Sequence, residues 1–234
     1  MRSRLRQLHA DQGGFTLTEL LTAMVIGTIV LMAAFVLLDR STSLSNEVAD
    51  RQDAVQRGRL AMEMMTRQLR SQVCLGDTTE PITYGDANRV SFYADLSDGS
   101  RNVEQRTLSY DATSQRIVED TYAGVGTYPT LTFPTLTRTN VLLTNARRVP
   151  NGSGSIPIFR YYAFRTGGVP GDMEELPVPL DPINDAPRVV MVKLAFVALP
   201  ARTVPRDIDA TTFYSDVYVR LADPSRPTEG PRCL

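Results

Sequence analysis

The chain has 234 residues, which is long enough for one hydrophobic core with an N-terminal extension. Its formal net charge is −1 with 22% charged residues, and no basic run is dense enough to follow nucleic acid phosphates, so no nucleic acid partner is predicted. A single histidine, His9, leaves little basis for histidine-dependent metal or acid/base chemistry.

Residues 1–14 form a short basic leader. Arg2, Arg4 and Arg6 stand against one acidic residue, and the positive-inside rule places such a segment in the cytoplasm. The leader ends in two glycines at positions 13 and 14, ahead of an apolar run. A secretory signal peptide carries its small residues after the apolar core. Cleavage at these glycines would therefore leave the apolar helix on the mature protein.

Residues 15–38 are apolar enough and long enough to cross about 30 Å of hydrocarbon. Glu19 is their only ionisable side chain. A carboxylate in this setting costs about 2.5–3.5 kcal/mol on insertion scales. One interpretation keeps Glu19 hydrated at the cytoplasmic interface. The other pairs it with the new amino group that cleavage would create on Phe15 of a neighbouring copy, an attraction of about 4 kcal/mol at 4 Å and an effective dielectric of 20.

The order of basic leader, glycine, phenylalanine, a glutamate four residues later and a continuous apolar span resembles the class III signal of type IV pilins and of type II secretion pseudopilins. The resemblance implies that a prepilin peptidase cuts after Gly14, that Phe15 becomes the N-methylated terminus and that Glu19 is the assembly carboxylate. Many major pilins carry a proline within the span, whereas residues 15–38 contain none.

Apolar residues continue at helical spacing through residues 39–75, from Leu44 and Val48 by way of Val55, Met62, Met65 and Leu69 to Val73. This pattern predicts that one helix runs from the membrane span to Cys74, stops near Gly76, and packs its apolar stripe on a domain, with its arginines facing solvent. A coiled coil with another chain is the alternative for the stripe.

Residues 76–234 favour β structure. Strands are predicted at 89–94, at 106–110 and 116–119 as a hairpin around Asp111–Ser114, and at 141–143, 156–164, 188–199 and 213–221. Residues 121–134 are predicted to form an irregular loop. The five prolines from position 170 to position 187 exclude a helix or a central strand in that segment. The predicted fold class is α+β: a long N-terminal helix, half membrane-spanning and half amphipathic, packed on a mostly antiparallel β domain, as in pilins.

Short segments scattered over the chain resemble W-type minor pilins and J-type minor pseudopilins, a resemblance that implies a place in the tip or priming complex of a filament. They are residues 58–63, 67–70, Cys74, 108–110, 141–143, 159–162, 188–190 and 217–221.

Other chemistry has little support in the residues. Acidic residues cluster in two loops, but they lack the spacing of an EF-hand, so we expect no cofactor and keep calcium only as an alternative. The sequence contains no P-loop and no Gly-x-Ser-x-Gly elbow, so no enzymatic activity is predicted. The acidic loop residues are Asp172, Glu174, Glu175, Asp181 and Asp185 in one loop and Asp207 and Asp209 in the other.

Cys74 and Cys233 suit one disulfide outside the cytoplasm, and two unbridged thiols are the alternative.

The sequence therefore predicts a non-enzymatic minor pilin or pseudopilin with its N-terminus in the cytoplasm and its domain outside. Expected partners are other pilin or pseudopilin subunits, the prepilin peptidase, an inner-membrane assembly platform and membrane lipid. A single-pass anchored binding protein that never enters a filament is the first alternative, and an anchored hydrolase is the second.

Overall fold

A computed structural model describes residues 14–76, 79–95, 102–167, 169, 171–201 and 210–219. Several predicted features lie outside these residues. They are residues 1–13 of the leader, Pro170, Asp207, Asp209, residues 220–221 of the last predicted strand, and Cys233. The chain divides into two compact units, Met1–Val48 and Ala49–Leu234.

One α-helix, α1, spans Leu17–Arg70 and confirms the predicted long N-terminal helix. It ends before Cys74, so the predicted stop at Gly76 is wrong. The reason is tertiary: the Val73 N–H donates to the Tyr93 carbonyl (3.0 Å), and the Asp95 N–H donates to the Ser71 carbonyl (3.2 Å). The backbone thus leaves the helix in order to pair with a strand.

The strands form two main antiparallel sheets, which confirms the predicted α+β class. The first sheet has the order β1-β2-β3-β4-β5, and the second has the order β10-β9-β11-β12 with β6 paired to β11; β7 and β8 form a separate small hairpin. The strands are β1 Ile82–Gly85, β2 Arg89–Asp95, β3 Val103–Asp111, β4 Arg116–Ala123, β5 Leu136–Leu143, β6 Ala146–Arg147, β7 Val149–Asn151, β8 Gly154–Ile156, β9 Phe159–Phe164, β10 Met173–Glu175, β11 Met191–Ala198 and β12 Thr211–Tyr218.

All the predicted strands are present, with altered limits. The predicted hairpin is β3-β4, and its turn is closed by Asp111, whose carboxylate accepts from the Thr113 N–H (2.8 Å) and the Ser114 hydroxyl (2.6 Å). Strand β4 runs to Ala123, so the irregular loop begins later than predicted. The proline-rich segment contributes β10 at an edge of the second sheet and a 3₁₀ turn at Ala186–Arg188. The short strands β1, β6, β7 and β10, most of β5 and most of β8 were not predicted.

The core lies between the two sheets and the C-terminal part of α1. Large buried side chains from both sheets meet there, among them Phe92, Leu108, Tyr161 and Phe196. The Tyr161 hydroxyl lies 2.8 Å from the Arg89 carbonyl, which ties the second sheet to the first.

The helix face that packs on this core differs from the predicted stripe. Met65 and Leu69 are buried as predicted, but Leu44 and Val48 are 63% and 57% exposed. The buried face continues upstream through the small residues Ala54, Gly58 and Ala61. Small side chains allow the helix backbone to approach the sheet closely, and a pattern search for large apolar residues does not detect them.

The prediction that the helix arginines face solvent is wrong for Arg57. Its guanidinium donates to the Leu199 carbonyl (2.5 Å) and to the Thr144 hydroxyl (3.0 Å), and it pairs with Asp53 (2.9 Å). These contacts fasten the helix to the loops that follow β5 and β11, since Arg57 reaches acceptors far away in sequence.

We expect Gly58→Ala to destabilise the domain. A Cβ atom at this position would lie 2.1 Å from Cε2 of Phe213, whose ring stacks on Phe196. The clash should cost about 1–3 kcal/mol in the free energy of unfolding, although alanine at an open helical site gains about 1 kcal/mol over glycine. The midpoint of urea unfolding, followed by circular dichroism, measures the change.

The same substitution in a Phe213→Leu background is the matched control. Because the smaller side chain removes the clash, Gly58→Ala should cost little there. An equal loss in both backgrounds would contradict the assigned close contact.

Candidate functional site: the N-terminal segment

Residues Gly14 to Thr16 precede α1, and Thr16 is the N-cap. The Thr16 carbonyl accepts from the N–H groups of Glu19 and Leu20, both at 3.1 Å. Its hydroxyl also accepts from the Glu19 N–H at 3.3 Å. A threonine in this position satisfies a backbone donor that a helix N-terminus otherwise leaves unpaired. The helix thus begins two residues after Phe15, where the sequence alone suggested Phe15 itself.

This geometry leaves the peptide bond between Gly14 and Phe15, the predicted cleavage site, accessible. Gly14 and Phe15 lie outside the helix, and Phe15 is 83% exposed. A Cβ atom added at Gly14 would meet nothing within 4 Å. Cleavage between Gly14 and Phe15 would place a new amino group one residue before the N-cap, where no helical hydrogen bond requires its proton.

Glu19 lies in the first turn of α1 and is exposed. A carboxylate in this turn interacts favourably with the positive end of the helix dipole. Among the described residues it has no side-chain hydrogen bond and no ion pair. The fold therefore leaves this carboxylate available to a partner outside the chain.

The hydroxyl groups of the apolar segment are already satisfied within the helix. Thr22 donates to the Glu19 carbonyl (3.0 Å), and Thr28 donates to the Val25 carbonyl (2.8 Å). Such back-bonding is how a helix carries hydroxyl groups in a medium without water. Glu19 is consequently the polar group of residues 15–38 that still needs a partner.

The apolar surface of this segment is uncovered. Fifteen large apolar side chains from Phe15 to Leu38 are more than half exposed. Helix α1 is long and apolar enough to cross a membrane, and no part of its most apolar stretch is buried within the chain. An apolar surface of this extent requires lipid or other protein around it.

The acidic loop that could hold calcium is held by internal contacts. Backbone N–H groups of Ile183 and Asn184 donate to the Asp181 carboxylate at 2.8 and 3.0 Å, and these bonds lower the pKa of Asp181 below its usual value. Glu174 pairs with Arg188 at 2.6 Å. Within the described ranges, no group of three or more His, Cys, Asp or Glu side chains could hold a metal ion. The absence of a cofactor, with calcium as the alternative, and the bridge between Cys74 and Cys233 remain predictions.

One buried polar cluster was not predicted from the sequence. Arg106 and Glu119, on adjacent strands, are 4% and 1% exposed and form an ion pair. Arg106 also donates to Gln68 of α1 at 2.7 Å, so the cluster joins the helix to the first sheet. No linear motif marks these residues, because they are polar positions within otherwise ordinary alternating strands.

Comparison with known families supports the interpretation of the N-terminal segment. Residues 9–35 match the family model described as the prokaryotic N-terminal methylation motif. The match covers the leader end, Gly14, Phe15, Glu19 and most of the apolar segment, and it confirms the resemblance of this part of the chain to the precursors of type IV pilin-like proteins. A search of curated proteins found no match to the chain.

Proposed function

We propose that this chain is a minor pilin or minor pseudopilin, a structural, non-enzymatic subunit of a type IV pilus or of a type II secretion filament. The N-terminal methylation motif and the long apolar helix support a pilin-like precursor that is anchored in a membrane. The observation that carries the proposal is the match over residues 9–35, together with the exposure of the apolar segment of α1 up to Leu38. A helix of this kind can exchange lipid for the helices of other subunits without refolding the domain.

The proposed maturation starts from an inserted precursor with the basic leader in the cytoplasm. A prepilin peptidase hydrolyses the peptide bond between Gly14 and Phe15, which releases the leader with a Gly14 carboxylate and leaves an amino group on Phe15. A methyl group from a methyl-donor cofactor then replaces one proton of that amino group. The domain stays outside the cytoplasm, and an inner-membrane assembly platform passes the subunit from the lipid to a filament at the cell surface or in the periplasm.

A minor rather than a major subunit is favoured by the size of the domain and by the short segments that resemble W-type minor pilins and J-type minor pseudopilins. The described domain holds two main sheets and a small hairpin after the helix. This is more structure than a shaft subunit needs, and it suits a subunit at the tip or in the priming complex. The single-pass anchored binding protein remains the second candidate, since an unprocessed apolar helix would serve equally as an anchor.

The processing step has a direct test. In a host that carries a prepilin peptidase, mass spectrometry of the membrane-extracted protein should find an N-terminus at Phe15 that carries a methyl group. Gly14→Val should abolish this product. The class III signal carries a glycine on the leader side of the cleaved bond, and the branched valine side chain would occupy space that glycine leaves free for the peptidase. The product to expect is then the intact chain that begins at Met1.

Gly27→Val is the matched control. It makes the same substitution within the apolar part of the helix, where a Cβ atom meets nothing within 4 Å, and processing should be normal. An intact Met1 terminus in the wild-type protein, in a host shown to process another prepilin, would favour the anchored binding protein.

A further inference from the structure

An open cleft of ≈ 450 Å³ lies between α1 and strands β3 to β5. The helix contributes Met64, Arg67 and Gln68, and the sheet contributes residues from three strands. The sheet residues are Arg106, Glu119, Arg138, Asn140, Val141 and Leu142. None of these residues belongs to the N-terminal segment.

The charges in the cleft are unevenly compensated. At its floor, Arg106 is neutralised by Glu119 and by Glu104, which it contacts at 2.5 Å. At its mouth, Arg67 and Arg138 are exposed, and neither forms an ion pair with any described residue. The cleft thus presents two exposed guanidinium groups without acidic partners among the described residues, in a protein whose net charge is −1. Two guanidinium groups that lack acidic partners are suited to carboxylates.

The cleft also presents apolar surface. Val141 is 49% exposed beside the half-buried Met64 and Leu142. Leu60, one helical turn before Met64, is 53% exposed. A ligand that fits this surface needs apolar side chains as well as negative charge, which favours an acidic polypeptide over a nucleic acid backbone.

Strand β5 forms one wall of the cleft and is the last strand of the first sheet. It pairs with β4, and among the described strands no other pairs with it. Eight residues long and largely exposed, it offers unpaired backbone groups along its outer edge. An extended segment can add to such an edge through main-chain hydrogen bonds.

We propose that this cleft binds an extended acidic segment of a partner protein, which pairs with the edge of β5 and sets its carboxylates on Arg67 and Arg138. Alternate residues of an added strand point to the same face. One set of side chains would therefore reach the arginines, while the main chain follows β5. The proposal does not depend on the processing of the N-terminal segment.

The test uses the full-length chain in a nonionic detergent. The probe is a fluorescein-labelled peptide of nine residues in which glutamate alternates with valine and threonine, and its counterpart carries glutamine in place of glutamate. We expect the glutamate peptide to bind at least ten-fold more tightly at low salt, with an affinity that falls as salt is added. The same peptide with alternate backbone nitrogens methylated should lose binding, since it cannot complete a strand ladder.

The Arg67→Gln/Arg138→Gln double variant should bind the glutamate peptide at least ten-fold more weakly. The matched control is Arg59→Gln/Arg116→Gln, which removes two exposed arginines from α1 and β4 outside the cleft and should leave affinity unchanged. Any of three results would overturn the proposal: equal affinity for the glutamate and glutamine peptides, no effect of the double variant, or a preference for oligodeoxythymidylate over the acidic peptide.

Discussion

Glu19→Ala should yield a subunit that is cleaved, methylated and folded but enters the filament at least ten-fold less efficiently. The Glu19 carboxylate has no partner among the described residues of its own chain. In the assembled state, its proposed partner is the amino group on Phe15 of a neighbouring subunit. Loss of an attraction of about 4 kcal/mol exceeds the roughly 1.4 kcal/mol that corresponds to a ten-fold change in an equilibrium constant.

The measurement is the fraction of subunit that is recovered with sheared filaments, or cross-linked to other subunits, relative to the fraction left in the membrane. Glu63→Ala is the matched control, because it removes an exposed carboxylate from the same helix outside the apolar segment. Glu19→Gln separates charge from size and should behave like the alanine variant. If Glu19→Ala enters the filament as efficiently as Glu63→Ala, the charge-pairing mechanism is wrong, and Glu19 is then a hydrated residue at the membrane interface.

Arg106→Leu should have the largest effect on the stability of the domain. Its removal leaves Glu119, which is 1% exposed, as a buried carboxylate without its cation. Breaking one side of a buried pair in this way typically costs about 3–5 kcal/mol in the free energy of unfolding. The variant also loses the hydrogen bond to Gln68 that joins α1 to the first sheet.

The double variant Arg106→Leu/Glu119→Leu tests the cause of this loss. Replacement of both charged groups removes the uncompensated carboxylate, so the double variant should recover most of the stability that the single variant loses. Urea unfolding of the full-length chain in detergent, followed by circular dichroism, compares the variants. Arg116→Leu is the control: this arginine is exposed at the start of β4, and its loss should change stability by less than about 0.5 kcal/mol. An Arg106→Leu effect as small as that of Arg116→Leu would contradict the proposed role of the pair.

The proposed assembly function and the stability of the domain both depend on α1. Its N-terminal part is exposed and matches the N-terminal methylation motif, whereas its C-terminal part is held on the domain by Arg57, Gln68 and the face of small residues. The proposed function needs both properties, because the domain has to stay folded while the apolar segment exchanges lipid for other helices. The Glu19 and Arg106 variants separate the two: the first should change assembly alone, and the second should change stability first.

The sequence by itself determined the features that depend on neighbours in the chain. The leader, Gly14, Phe15 and Glu19 are neighbours in the sequence, so this motif can be recognised without knowledge of the fold. The length of the apolar run predicted a helix, and local alternation with Asp111 at a turn predicted the β3-β4 hairpin. These signals act over a few residues, where backbone geometry and side-chain periodicity are set locally.

Only the tertiary structure decided which parts of these elements meet. Arg57 finds its acceptors 87 and 142 residues away, and Gln68 meets Arg106 38 residues later. Gly58 lies on the buried face because Phe213 occupies the space above it. No local pattern encodes such pairs, since burial and charge compensation arise when distant segments come together. For the same reason, the cleft beside β5 was not foreseen, although each of its residues was visible in the sequence.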